Sequence, residues 1–116
     1  MKEKIAYFEN NGTKYPLVFN LNVMEEIQEK YGSLAEWGRI TQGQGEPKIK
    51  DLKFGLLAMI NEGIEIENEN NNEGRPLMSL KQLGRLMANV GVAKIVQTIR
   101  DITVASAKTE ADGKNE

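Results

Sequence analysis

Lys14-Tyr15-Pro16-Leu17-Val18-Phe19-Asn20 runs, across Leu21 and Asn22, into Val23-Met24-Glu25-Glu26-Ile27-Gln28-Glu29-Lys30-Tyr31-Gly32. The spacing of the apolar residues changes at that junction. Tyr15, Leu17 and Phe19 alternate with their neighbours, whereas Val23, Met24, Ile27 and Tyr31 recur at i, i+3 and i+4. A strand therefore hands over to a helix. Upstream, Ile5 and Tyr7 sit in an alternating stretch that ends in Asn10-Asn11-Gly12-Thr13. Asn-Gly is the dipeptide that best tolerates positive φ at both central turn positions, so the first nineteen residues read as a β-hairpin. Pro16 has no N–H to donate, which places the return strand at an edge or bonds it on one side only.

Downstream, the punctuation marks out about five helices. Asn20 or Asn22 caps the first and Gly32 ends it. Ser33 opens a short second helix with Glu36 three residues on, as in a capping box. Its Leu34, Trp37 and Ile40 share one side. After the Gly43, Gly45 and Pro47 loop, Asp51 caps or opens a third helix that is expected to end near Asn61 and Gly63. Leu52, Leu56, Met59 and Ile60 form its main face, widened by Phe54 and Leu57, which marks it as central. Glu62 to Glu73 holds five Glu, four Asn and no base. It reads as a solvated loop, with or without a short strand at Ile64-Glu65-Ile66. Ser79 caps a fourth helix, and Gly91 separates it from a fifth that carries Val92, Ile95, Val96, Ile99 and Ile102. The expected fold is α+β, a hairpin packed on about five helices. Residues 1–105 make one domain and 106–116 a flexible polar tail.

The 116 residues are 40% hydrophobic and 28% charged, with a net charge of −2, an ordinary globular balance rather than a disordered one. No apolar run approaches the ~20 residues that span a bilayer. Met1-Lys2-Glu3-Lys4 lacks an apolar core, so no export signal is expected. With no cysteine and no histidine, disulfides, thiol nucleophiles, thiolate metal sites and the usual general base are all excluded. Composition leans toward a protein that binds rather than one that catalyses.

Each candidate for chemistry has a plainer reading. Glu65, Glu67 and Glu69 alternate as calcium ligands do, but the stretch has no Asp and Gly74 is misplaced for the loop's turn. The two helices around Gly91 invite comparison with a helix-turn-helix. The second offers mainly Lys94, Gln97 and Arg100 among apolar residues, and scattered bases neutralise few phosphates. Gly43 and Gly45 lack the following Gly-Lys-Ser/Thr of a phosphate loop. Glu25 and Glu29 share a helix face, where solvated carboxylates suit the early turns. No cofactor or metal is expected. Trp37 plugs the core or anchors an interface, the core being favoured. The stripe on the last helix can pack in the core, on a partner helix, or on a second copy.

Lys14 to Leu34, then Leu52-Lys53-Phe54-Gly55-Leu56-Leu57-Ala58-Met59-Ile60-Asn61-Glu62-Gly63, then Ser79-Leu80-Lys81-Gln82-Leu83-Gly84-Arg85-Leu86 with Val90-Gly91, together resemble the small tail assembly chaperones of long-tailed bacteriophages, prophages and gene transfer agents. The resemblance covers roughly residues 12 to 105. It implies a non-catalytic protein of the bacterial host cytoplasm that binds the long, helix-rich tape measure protein, helps recruit tail tube protein and leaves before the virion is complete. Some members of that family are also made in a longer, frameshifted form, and a polar tail suits such a junction. On this reading Tyr31, Trp37 and Ile40, with Val96 and Ile99 of the last helix, are the expected partner-binding residues. The alternative is a structural tail or head–tail joining protein retained in the particle.

Overall fold

The computed structural model describes residues 5–43 and 45–114, with side chains described as far as Ala105. Strands β1 (Ala6–Asn10) and β2 (Thr13–Leu17) pair antiparallel, with Asn10 opposite Thr13. Asn11 and Gly12 take φ of 53° and 82°, the two positive values that a two-residue I′ turn requires. Five helices follow: α1 (Leu21–Tyr31), α2 (Leu34–Gln42), α3 (Ile49–Asn71), α4 (Leu80–Val90) and α5 (Val92–Lys114). The architecture is α+β, as expected. The polar stretch from Ser106 continues the α5 backbone helix to Lys114. Its side chains, the rest of the expected tail and the Met1–Lys4 start lie outside the described residues. Among the described residues no helix is long and apolar enough to cross a membrane.

The caps explain the helix starts. Asn20, not Asn22, caps α1: its Oδ1 accepts from Val23 N at 3.2 Å. Ser33 Oγ accepts from Glu36 N at 3.0 Å, while the Glu36 carboxylate pairs with Arg39. The full reciprocal box forms instead at α4, between Ser79 and Gln82. Lys48 is the cap position of α3, so that helix begins ahead of Asp51, which sits in its first turn.

α3 is the axis of the molecule. Leu52, Leu56, Met59, Ile60 and Ile64 are all buried along it, and α1, α2, α4 and β2 pack on it. β2 crosses so closely that a β-carbon on Gly63 would stand 2.8 Å from Pro16 Cβ. Two residues past Pro16, Val18 N donates to Met59 O at 3.2 Å. The return strand is thus hydrogen-bonded to β1 on one side and seated on a helix, which accommodates Pro16.

α3 also corrects the reading of the acidic stretch. The helix does not stop near Gly63 but runs on to Asn71, closed by Asn72 in the left-handed region. Ile64-Glu65-Ile66 alternates as a strand would, yet Ile60 and Ile64 continue the i, i+4 stripe into the core. Packing by the hairpin holds the extra turns: Gly63 takes Pro16, and Glu67 accepts from the Tyr7 hydroxyl.

The chain then returns along α3 as an extended segment. Asn68 Nδ2 donates to Arg75 O and Asn68 Oδ1 accepts from Arg75 N, at 2.9 and 3.1 Å. Asn61 does the same for Met78, at 3.1 and 2.8 Å. Seven helical residues rise about 10.5 Å and three extended residues span about 10 Å. The two amides are therefore spaced to clamp a strand-like segment at both ends.

Candidate functional site

Of the five expected partner-binding residues, Tyr31 and Trp37 meet at the first turn of α3. Tyr31 donates its hydroxyl to Asp51 Oδ1 at 2.7 Å, and Trp37 donates Nε1 to Asp51 O at 3.0 Å. The Tyr31 ring meets Phe54 edge-on at 5.7 Å between centroids. Burial, then the hydrogen bond to Asp51 and the charge of its carboxylate, push the Tyr31 phenol well above its usual range. Thr41 Oγ1 caps the Trp37 carbonyl at 2.8 Å. This is a joint between α1, α2 and α3, and among the described residues no buried side-chain polar atom is left without a partner.

The structure does not bring the five together as an open groove. Trp37 is 2% exposed and Ile99 is fully buried, both in the main core cluster. Tyr31, Ile40 and Val96 are half-buried. The physical reason is the glycine at position 55: without a β-carbon there, the indole drops onto α3 and fills the core.

A cleft that the described residues do form lies elsewhere. The hairpin turn, the extended segment Arg75–Met78 and α4 enclose about 530 Å³, within the range of ligand-binding clefts. Ile64 and Leu86 are the buried apolar residues of its lining, and Asn10, Asn11 and Asn89 are among the polar ones. Among the described residues its charged lining is Arg75 and Arg85. Arg75 donates to Lys14 O at 3.3 Å and lies over the Tyr15 ring, which stacks in turn on Phe8.

Sequence reading had no motif to find this cleft, because its parts come from residues 10–15, 64, 75–78 and 82–89. One signal was there. Residues 62–73 carry five acids and no base, and residues 74–100 carry five bases and no acid. So abrupt a division puts a one-signed surface on the helix that follows it.

No family model matches the chain, no curated protein is similar to it, and no solved structure matches it.

Proposed function

We propose that the chain is a tail assembly chaperone of a phage or prophage, non-catalytic, which binds the tape measure protein in the bacterial cytoplasm and helps recruit tail tube subunits. The observation that carries this reading is the order of elements from Lys14 to Leu34. A return strand runs into a helix that ends at Tyr31-Gly32, and Ser33 restarts the chain at once as a second helix. That passage carries the resemblance to the family. An open cleft with an apolar floor supports it, since a tape measure protein exposes long apolar helical surface before the tube encloses it. Many copies of a small domain, each binding weakly, cover such a surface by avidity and still give way to tube subunits.

Co-expression with the adjacent long, helix-rich reading frame tests this. The expected result is that the long protein becomes soluble and co-purifies with several copies of this chain. A long protein left insoluble, with this chain absent from it, overturns the reading for the 116-residue form. Recovery of the chain from purified particles would instead make it a tail or head–tail joining component.

A further inference from the structure

We infer that the cleft between the hairpin turn and α4 takes a short acidic segment of a partner polypeptide, with a carboxylate on Arg85 and an apolar side chain on Ile64 and Leu86. This rests on the reading that the chain captures a polypeptide, and it names the chemistry captured. The described residues lining the cleft include two arginines and no carboxylate. Arg85 is exposed, and its side chain makes no hydrogen bond or ion pair among the described residues. Arg75 is different: its bond to Lys14 O and its place over Tyr15 fix the guanidinium at the cleft wall and use only part of its five donors. A carboxylate is the group that this planar fork matches in a bidentate way. Asn11 and Asn89 also line the cleft, each with an amide that both donates and accepts, as a peptide backbone requires.

The same features disfavour a nucleic acid. Single strands are held by a track of bases plus open aromatic faces. Here the aromatic in the cleft, Tyr15, already stacks on Phe8 and lies under Arg75, and the floor is aliphatic.

The test is an amide-resolved NMR titration of the full chain with three probes. They are a capped peptide of alternating leucine and glutamate, its leucine–glutamine counterpart, and a short oligothymidylate. Shifts from the acidic peptide are expected at Asn11, Leu77 and Asn89. The glutamine peptide should bind about tenfold more weakly, the loss of one charge-assisted contact. Arg85→Glu should abolish the shifts without moving the melting temperature, because that side chain supports nothing in the fold. Equal binding of both peptides, shifts on another face, a preference for the oligothymidylate, or indifference to Arg85→Glu would each overturn the proposal. So would a concentration-dependent dimer that Arg85→Glu dissolves, which would make a second copy the occupant.

Co-expression separates this proposal from the reading beneath it. If the wild-type chain and Arg85→Glu solubilise the long partner equally well, the cleft assignment falls and the chaperone reading stands. If neither does, while the acidic peptide still binds through Arg85, the cleft stands and the chaperone reading falls.

Discussion

Trp37 stands on Gly55: a β-carbon at that glycine would lie 2.1 Å from Cζ2 of the indole and 2.8 Å from Cε2. The ring cannot retreat freely, because its Nε1 is held by Asp51 O one helical turn away. Gly55→Ala should therefore destabilise the domain despite the better helix propensity of alanine. Overpacking of this kind costs about 1–3 kcal/mol, measurable as a lower midpoint in urea at unchanged slope. Adding Trp37→Phe should recover part of that loss, a coupling between touching residues. A Gly55→Ala protein as stable as wild type would show that the indole has room to move.

Trp37→Ala bears on the same joint and separates the core role from the partner role. Removing a fully packed indole costs about 3–5 kcal/mol, a large share of the stability of a domain this size. The expected outcome is a broad or missing thermal transition rather than a folded protein that has lost a partner. A sharp transition near the wild-type temperature would return Trp37 to the list of interface residues.

The Asn61 and Asn68 clamps answer four backbone groups of a segment with no sheet of its own. Asn61→Ala or Asn68→Ala should cost about 1–3 kcal/mol, the penalty for leaving partly buried backbone groups unmet. Hydrogen exchange at Arg75 and Met78 reads the effect locally: Asn61→Ala should speed exchange at Met78 first. Asn61→Asp keeps the acceptor for Met78 N–H and gives up the donor to Met78 O, so it should protect that amide better than alanine does. Equal exchange in all three proteins would mean that packing alone holds the segment.

These elements also mark how much was legible in advance. The hairpin was, since Asn11-Gly12 and the alternation around it are local signals with one backbone solution. The α1–α2 joint was, since Gly32 and Ser33 stop one helix and start the next. The far end of α3 was not: residues 62–73 resemble a loop by composition, and what keeps them helical is Pro16 on Gly63, roughly 47 positions away in sequence. Two of the expected binding residues, Trp37 and Ile99, lie in the core for a related reason. Trp37 and Ile99 are apolar at helical spacing, which says that they face something, while Gly55 and the buried neighbours that decide what they face are distant in sequence. The cleft is assembled from four separate segments, so only its charge was visible.

Tyr31 makes the fold sensitive to alkali. Its phenol is raised first by burial and then by Asp51, so above the ordinary tyrosine range near pH 10 the folded state holds a proton that the unfolded chain has lost. Stability from this group is complete below about pH 10 and is lost as pH rises through the higher folded value. The wild type should therefore lose stability above pH 10 more steeply than Tyr31→Phe, followed by thermal unfolding with Tyr31 tracked by NMR. Identical slopes for the two proteins would remove Tyr31 as the cause.

Glu26 works in the opposite sense at neutral pH. Partial burial raises its carboxyl above the usual range, and Glu62 and Glu65 on α3, then Glu29 and Glu25 on α1, add repulsion. Glu62 is held in place by the Asn20 and Asn22 side-chain amides at 2.7 and 2.9 Å, so it stays near its neighbour. A carboxyl raised on folding favours the native state only where it is protonated: that contribution is present below about pH 4.5 and is lost as pH rises through the folded value. At pH 7 the ionised Glu26 opposes folding, and Glu26→Gln should stabilise the domain by about a few tenths of a kcal/mol, as relief of like-charge pairs does at an exposed, screened site. The gain should shrink toward pH 4 and in about 1 M salt, where screening shortens to roughly 3 Å. A loss of stability on Glu26→Gln at pH 7 would show instead that the charge has a favourable partner across the α1–α3 contact.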